Sequence, residues 1–427
     1  MTITKINGHS IPGEVAGGGV NNRLFHPTTS INLSDFQTIC TRTTDHTLYP
    51  SASTITHNIP IYTLDNFTPT DPTHTTRLQN EWYDILSTGP GIFVLKGLYD
   101  PQTHAPTLTA TNTAFTTIIE TERSSTTFKK GDHFATSGKN DRIWNSFSKH
   151  ALTHPQSFVD YYSNPWLKLV SEAWLGPAYR ITAQVNIVKP GGAAQDSHRD
   201  YHLGFQDLES CAQFPRAIQI ASQYLTLQGA VAHSDMPLES GPTRFLPFSQ
   251  TYEPGYLAWR RDDFRAFFQD HYVSLPLELG DGVFFNPAIF HAAGANETPE
   301  MNFPDGSPGG GFHRKANLLQ IGCALGKTME SVDSVQIVER CWEGMREVYE
   351  RNGRVVDAGL DALVRAIGEG YPFPTNLDRR PPAPSGMAPE SEQEVLFRGL
   401  REGWGVHDMV AVLRGMRRDS GAVGGLD

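Results

Sequence analysis

The chain contains few cysteines. Only four occur in its 427 residues, at the widely separated positions Cys40, Cys211, Cys323 and Cys341. None of them forms a C-x-x-C pair, so the pattern fits scattered thiols better than a disulfide framework or a zinc ribbon. Scattered thiols are typical of a reducing compartment, and we therefore expect a cytoplasmic protein.

Long apolar runs and an excess of basic charge are also missing. The chain has 35 Lys and Arg against 46 Asp and Glu, a formal net charge of −11. A membrane span needs about 18 consecutive apolar residues, and non-specific nucleic-acid binding needs a basic face. We therefore expect neither a membrane nor a nucleic acid as a partner, and the first residues lack the apolar run of a signal peptide. A small molecule is the expected partner.

The distribution of polar and apolar residues along the chain predicts three regions. Residues 1–60 are polar and show little periodicity, so we expect a segment that lies on the surface or is partly mobile. Residues 61–327 form the central domain, which begins with amphipathic helices around 75–86, 115–122 and 157–174. Residues 328–427 form a helical extension whose apolar residues pack against the domain or mediate a homodimer.

The central region predicts a mainly β structure with helical additions, an α+β class. Short apolar runs between residues 181 and 326 are separated by Gly and Pro, which favours a β-sandwich or barrel over a βαβ fold. The predicted strands include Gly91–Leu95, Ile181–Val188, Ala217–Leu227, Val283–Phe285 and Ala316–Ile321.

The sequence His198-Arg199-Asp200 is the first candidate for a chemical site. Side chains alternate along an extended segment, so His198 and Asp200 point to the same side and can bind one metal ion. By itself an H-x-D tripeptide also fits a surface His beside a solvated Asp. The H-R-D of a kinase catalytic loop is excluded, because Phe205 stands where that motif requires Asn and no D-F-G follows.

A third metal ligand is available at His291, which follows the apolar strand Val283–Phe285. Two His and one carboxylate make the facial triad of non-haem Fe(II) oxygenases, which leaves three coordination positions open. Further on, Arg314 begins the next apolar strand. A buried Arg beside the metal needs an anionic partner, such as the carboxylate of a cosubstrate. The alternative is an Arg at the rim with a surface ion pair.

The segment Glu239–Ser249 (ESGPTRFLPFS) resembles the G-P-T-R-x-x-P-x-S element of the phytanoyl-CoA dioxygenase family. His198-x-Asp200, Gly280-Asp281-Gly282 before His291, and Arg314 extend the resemblance over roughly residues 85–325. The resemblance implies that the 61–327 domain is a double-stranded β-helix, a jelly-roll or cupin-like barrel flanked by N- and C-terminal helices. It also implies that the enzyme uses Fe(II), 2-oxoglutarate and O2.

The same resemblance assigns roles to individual residues. It implies His198, Asp200 and His291 as the iron ligands, and Arg314 as the residue that holds the distal carboxylate of 2-oxoglutarate. Arg244 is the alternative to Arg314. The weaker candidates for cosubstrate binding are Asn186, Thr243 and Gln195, for which a purely structural hydrogen-bonding role is equally open.

Two further expectations follow from the resemblance. Family members that halogenate replace the iron-binding carboxylate with a small residue, so Asp200 argues against halogenation. The separation of His291 and Arg314 is longer than in the family, which predicts a surface loop at 297–311 that could act as a lid.

The candidates for substrate contact are Arg142, Trp144, Tyr201 and Phe205. Arg142 and Trp144 could bind an anionic or amphipathic substrate, or Trp144 could belong to the core and Arg142 to a surface pair. The expected reaction is oxidation of an unactivated C–H bond in an amino-acid derivative or secondary metabolite. Hydroxylation is favoured over desaturation or cyclisation. The alternatives are an inert jelly-roll binding protein and a cupin-like metalloenzyme that works without 2-oxoglutarate.

Overall fold

The structure is a computed structural model that describes residues 5–6, 9–10, 22–124, 139–302, 308–371 and 376–421. A mixed sheet of eight strands forms its centre, in the order β3-β4-β5-β11-β8-β15-β7-β6. All neighbouring pairs in it are antiparallel except β4 and β5. Its strands are β3 (Thr54–Thr56), β4 (Ile59–Thr63), β5 (Ile92–Lys96), β6 (Asn140–Ile143), β7 (Arg180–Val188), β8 (Thr226–Ala232), β11 (Gly282–Phe285) and β15 (Arg314–Gly322).

A second sheet of three strands has the order β10-β9-β12. It consists of β9 (Arg244–Leu246), β10 (Val273–Ser274) and β12 (Phe290–Ala292). Apolar side chains of the two sheets form one buried cluster, for example Val283 and Ala316 from the large sheet and Phe245 from the small one. The two sheets therefore enclose a common interior. Two hairpins complete the strands: β1 (Lys5–Ile6) with β2 (His9–Ser10), and β13 (Glu300–Asn302) with β14 (Pro308–Gly311).

Helices cover the outer face of the large sheet. Because side chains alternate along a strand, Leu319 of β15 joins the helix-facing core, whereas Leu318 and Gln320 line the space between the sheets. The helices that contribute to this core are α2 (Pro72–Ser87), α3 (Ala105–Ser124), α4 (Ser146–Thr153), α5 (Pro155–Tyr162), α6 (Pro165–Leu175), α11 (Ser334–Arg351), α12 (Ala358–Ile367), α13 (Glu392–Glu402) and α14 (Val406–Ser420).

A separate helical layer packs around the small sheet. Phe36 of α1 contacts Phe264 and Phe290, with ring centroids 4.9 and 4.8 Å apart. This layer contains α1 (Leu33–Cys40), α7 (Leu208–Gln213), α8 (Arg216–Ser222), α9 (Gly255–Ala258) and α10 (Asp262–His271). Helical residues outnumber strand residues among those described, so the fold is mixed α/β rather than mainly β.

Two element predictions were wrong in detail. The predicted strand 217–227 is helix α8 followed by β8, because Ile218 is exposed and the turn buries Gln219 instead. The predicted helix 157–174 is broken into α5 and α6 where Asn164 caps α6 and Pro165 follows. In the C-terminal extension, α13 ends at Gly403, which adopts the left-handed conformation.

The division of the chain at residues 60 and 327 stays a prediction. Strand β4 runs across residue 60 into the large sheet, and Phe25, Ile31 and Phe36 are buried, so residues 22–60 pack into the fold. The predicted polar segment is 1–60, and most of its first 21 residues lie outside the described part of the chain. Within the part of the chain that is described, no helix has the length and apolar character to cross a membrane.

Candidate metal centre and cavity

The backbone brings His198 and His291 together. His198 lies outside any regular strand, but it forms an isolated antiparallel bridge with His291 of β12. The amide of His198 donates to the carbonyl of His291 at 3.0 Å, and the amide of His291 donates back at 3.1 Å. This reciprocal pair fixes the two residues side by side, so the imidazole rings are 4.5 Å apart between centroids.

Asp200 completes a group of three possible metal ligands. One ligand atom from each of His198, Asp200 and His291 lies within 4.8 Å of the others. The Oδ2 atom of Asp200 is 3.8 Å from Nε2 of His198 and 3.6 Å from Nε2 of His291. The predicted grouping of these three side chains is therefore present.

Each imidazole ring is oriented by a hydrogen bond at its Nδ1 atom. Nδ1 of His198 is 2.9 Å from the carbonyl of Asp196, and Nδ1 of His291 is 2.9 Å from the carbonyl of Ile289. A carbonyl only accepts, so each Nδ1 carries the proton and each Nε2 keeps a free lone pair. This arrangement is the one that metal-binding histidines use.

The carboxylate of Asp200 is held in its ionised form. Burial raises the pKa of Asp200, but His198, His291 and the amide of Gln228 outweigh it and lower that pKa to about 2. Gln228, on β8, donates from Nε2 to Oδ2 of Asp200 at 2.8 Å. Burial also lowers the pKa of His198, which favours the neutral imidazole that a metal requires.

Arg199, between the two ligands, points away from them. Its guanidinium is fully buried and donates to the carbonyls of Ser249 (2.5 Å) and Tyr252 (2.9 Å). A Cβ atom at Gly255 would lie 1.9 Å from its Cζ, so glycine is required there. Arg199 therefore ties the segment that carries both ligands to the loop after β9.

Arg314 is buried at the start of β15, where it lines the space between the sheets. Its Nη1 donates to the carbonyls of Ser240 (3.1 Å) and Gly294 (3.3 Å), and burial lowers its pKa to about 10. Within the described residues it forms no ion pair with a carboxylate. Arg244 is not among the described residues that line the cavity, and it donates to the carbonyl of Gln195.

The three weaker cosubstrate candidates all line the cavity, and they differ in their hydrogen bonding. Oδ1 of Asn186 is buried and has no hydrogen-bond partner among the described residues. Oε1 of Gln195 accepts from the backbone amide of Ala293 at 3.2 Å, which is a structural bond. The carbonyl of Thr243 accepts from Ser274.

The four substrate candidates also line this cavity, which has a volume of about 790 Å3. Arg142 donates to Oε1 of Gln184 at 2.9 Å and lies 4.9 Å from the ring centre of Trp144. Tyr201 is buried, and its ring is 5.6 Å from that of the exposed Phe205. The cavity is large enough for a drug-sized ligand.

Several polar residues of the cavity were not anticipated from the sequence. They are Gln228 and Gln320 on adjoining strands, and Glu330 in the loop after β15. A polar side chain at a cavity-facing position of an otherwise apolar strand is a signal that the sequence does carry. Glu330 has no such signal, because it lies in an irregular loop.

The predicted loop 297–311 is an antiparallel hairpin where it is described. Glu300 of β13 pairs with Lys139 at 2.5 Å, which holds the hairpin beside β6. None of its described residues, 297–302 and 308–311, lines the cavity, so they give no support to a lid. Residues 303–307 lie outside the described part.

Comparisons with known proteins point to one family. A model of the phytanoyl-CoA dioxygenase family matches residues 89–302, half of the chain. The dioxygenase andF of Emericella variicolor is 25% identical over 145 residues, which is 32% of this chain and 44% of that protein. The chain thus matches under half of that relative's length.

Two solved structures show weaker similarity. The non-heme α-ketoglutarate-dependent epimerase SnoN from nogalamycin biosynthesis is 18% identical, with a TM-score of 0.37, over 60% of this chain and 84% of that one. The corresponding carbocyclase SnoK is also 18% identical, with a TM-score of 0.40, over 60% and 87%.

Proposed function

The chain belongs to the phytanoyl-CoA dioxygenase family, and on that premise we propose that it oxidises an unactivated C–H bond of a small molecule at a single iron. The family consists of enzymes that depend on Fe(II), 2-oxoglutarate and O2. The predicted enzyme class and cofactors are therefore confirmed at the level of the family. An inert binding protein and a metalloenzyme without 2-oxoglutarate are both disfavoured.

We assign the iron to His198, Asp200 and His291. The observation that carries this assignment is the convergence of their ligand atoms within 4.8 Å, with both Nε2 lone pairs free and the carboxylate ionised. Two imidazoles and one carboxylate on one face suit Fe(II) and leave three positions for other ligands. The donor set therefore fits the metal that the family uses.

We assign the distal carboxylate of 2-oxoglutarate to Arg314. A buried guanidinium without a carboxylate partner is unfavourable until an anion binds it, and a bidentate carboxylate is its best partner. Asn186, with its unpartnered Oδ1 facing the same cavity, is the second candidate for cosubstrate contact. Thr243 stays a candidate, and the bond from Ala293 makes Gln195 the weakest of the three.

We further propose that the two sheets are the halves of a double-stranded β-helix. From β7 onward the chain alternates between them: β7 is in the large sheet, the His198 segment bridges to the small one, and β8 returns to the large one. After β9 and β10, β11, β12 and β15 repeat the alternation. Such crossing between two facing sheets is the pattern of a jelly roll.

The cofactors and the residues of the chain have different roles in the proposed reaction. Bound Fe(II) and 2-oxoglutarate supply the oxidising power for C–H cleavage, with succinate and CO2 as the co-products. The chain's part is to orient the ligands through Asp196 and Ile289, keep Asp200 ionised, and bind the cosubstrate at Arg314. The walls of the cavity exclude water and fix which C–H bond faces the metal.

We propose a free amino-acid derivative or secondary metabolite as substrate, and hydroxylation as the favoured outcome; desaturation or cyclisation would follow from a different substrate position. The cavity of about 790 Å3 supports a ligand of this size.

Cytoplasmic location and a homodimer through the C-terminal helices stay predictions. Leu396, Leu400, Met409 and Leu413 of those helices are buried within the chain itself, so a dimer would need other side chains.

The test is succinate formation from 2-oxoglutarate by the purified protein with Fe(II) and O2. We expect His291→Ala to abolish it, because two ligands cannot hold the iron in an active geometry. The matched control is His407→Ala on the exposed face of α14, which should leave the rate unchanged. Succinate formation by His291→Ala at the wild-type rate would contradict the assignment.

A further inference from the structure

The wall that the large sheet gives to the cavity is polar on one side and apolar on the other. Strands β6, β7, β8 and β15 each place at least one polar side chain on the cavity, for example Gln184, Gln320 and Arg314. The side chains that β4, β5 and β11 place there are all apolar: Ile59, Ile92, Val94, Val283 and Phe285. One end of the cavity is therefore bounded by an apolar part of the sheet.

Apolar residues also form the opposite wall of this end. Leu275 and Leu277 follow β10, and Phe245 lies on β9. All three belong to the same buried cluster as the five residues of the large sheet. We call the space bounded by Ile59, Ile92, Val94 and Val283 on one side and by Leu275 and Leu277 on the other the apolar lobe.

The buried cluster does not close completely at the apolar lobe. Leu275, Leu277 and Val283 belong to that cluster, yet they line the cavity and keep 9, 7 and 5% of their surface exposed. Because these fractions are small, the open space beside them is narrow. At the mouth of the cavity, by contrast, Phe205 and Trp144 are 58 and 36% exposed. The apolar lobe is thus a narrow inner end of the cavity.

Phe285 joins the apolar lobe to the proposed metal centre. It stands opposite Ile92 on one neighbouring strand and opposite Gln228 on the other. Its ring lies 4.9 Å from the ring of His291 between centroids, and Gln228 donates to Asp200. Two of the proposed metal ligands therefore lie at the boundary between the polar and the apolar part of the wall.

The chemistry of the apolar lobe restricts what can occupy it. A buried water needs about two to four polar partners, and the described side chains of the lobe offer none. A carboxylate of 2-oxoglutarate would be buried there without a partner, whereas Arg314 offers one. A chain of the substrate would need more open surface than the lobe leaves. O2 is the remaining reactant of the family, and it is small, uncharged and apolar.

We propose that the apolar lobe binds O2 and holds it beside the metal centre. This inference rests on the proposed function, because O2 is a reactant of the same centre. Dry apolar cavities bind small apolar molecules such as xenon, since no hydrogen-bonded water has to be displaced. The lobe thereby keeps the site of O2 apart from Arg314, which binds the cosubstrate, and from the polar part of the wall, which is left for the substrate.

The first experiment uses xenon as the probe and measures its binding to the full-length protein by xenon NMR. Val94→Thr keeps the shape of the side chain and adds a hydroxyl to the lobe, whereas Leu277→Phe fills the lobe. The control Val364→Thr makes the same change as Val94→Thr at a buried position of α12, in the helix-facing core. We expect saturable binding whose affinity falls at least about threefold in both lobe variants and is unchanged in the control.

The second experiment measures succinate formation with Fe(II) and 2-oxoglutarate at varied concentrations of O2. We expect the KM for O2 to rise at least about threefold in Val94→Thr and in Leu277→Phe, and the KM for 2-oxoglutarate to stay within about twofold. A general defect of folding would not act on one reactant alone. Val364→Thr should retain both constants.

The proposal is overturned if the wild type binds no xenon, or if both lobe variants bind it like the wild type. It is also overturned if the KM for O2 stays unchanged in both variants, which would assign the lobe to an apolar part of the substrate, or if it rises together with the KM for 2-oxoglutarate. A protein that binds xenon in the lobe but forms no succinate contradicts the proposed function and with it this inference. Normal succinate formation without xenon binding contradicts this inference alone.

Discussion

At the scale of single residues, Gln228 orients the proposed metal ligand Asp200. The Nε2 of Gln228 donates to Oδ2 of Asp200 and so fixes the orientation of the carboxylate. Groups that orient metal ligands typically change metal affinity by about 10- to 100-fold when they are removed. We therefore propose Gln228 as a positioning residue for the proposed metal centre.

We predict that Gln228→Leu weakens Fe(II) binding by roughly 10- to 100-fold, measured by anaerobic titration with Fe(II). The control is Gln320→Leu, which removes an equally buried amide from the adjoining strand without touching Asp200. It should bind Fe(II) like the wild type. Equal losses in both variants would mean that the bond from Gln228 to Asp200 has no role of its own.

The grouping of the proposed metal ligands could be predicted because part of it follows from local rules. Alternation along an extended segment puts His198 and Asp200 on one side and Arg199 on the other, and the structure shows that arrangement. Glu330 could not be predicted in the same way. Its place in the cavity depends on how the loop after β15 returns to the start of α4, which no local pattern encodes.

At the scale of elements, the segment that carries His198 and Asp200 is not a regular strand. It is held by its two bonds to His291 and by Arg199, whose guanidinium reaches the carbonyls of residues 249–252. Removing the guanidinium would leave the carbonyls of Ser249 and Tyr252 with only their backbone donors, the amides of Tyr252 (3.3 Å) and Gly255 (3.0 Å). A hydrogen bond from a charged group contributes about 1.5–3 kcal/mol.

We predict that Arg199→Met lowers the free energy of unfolding by about 3 kcal/mol, measured by urea denaturation. Arg346→Met on the solvent side of α11 is the control and should change it by less than about 0.5 kcal/mol. If both variants unfolded at the same urea concentration as the wild type, Arg199 would not anchor the segment.

Element type was predicted correctly for several strands and for α2, and it failed for the run 217–227. The strands β5, β7, β11 and β15 and the helix α2 match the predicted positions. The run 217–227 was misread because a short apolar stretch suits both a strand and a helix turn. Its conformation also depends on contacts with residues distant in sequence, such as the hydrogen bond from the backbone amide of Arg216 to the carbonyl of Arg23.

At the scale of the whole molecule, the site depends on two sheets that face each other. The small sheet supplies His291, whereas the large sheet supplies Arg314 and Gln228 from β15 and β8. Helices cover the outer face of the large sheet, whereas the side chains of Arg314 and Gln228 lie on its inner face and line the cavity. The order of motifs along the chain indicated this family, but the amount of helix around the sheets was underestimated.

The central claim is that the three ligands and Arg314 hold Fe(II) and 2-oxoglutarate together. The most direct measurement is the visible difference spectrum of the metal-free protein after both are added without O2. We predict a weak charge-transfer band that requires both additions. Because hydrogen bonds to charged groups contribute about 1.5–3 kcal/mol, Arg314→Met should need roughly 10- to 100-fold more 2-oxoglutarate to give the same band.

Arg244→Met is the matched control, because Arg244 is bonded to backbone carbonyls and does not belong to the described lining of the cavity. It should show the wild-type dependence on 2-oxoglutarate. The account predicts a band that weakens in Arg314→Met and persists in Arg244→Met. A folded wild-type protein that gives no band, or a band that Arg314→Met leaves unchanged, would contradict it.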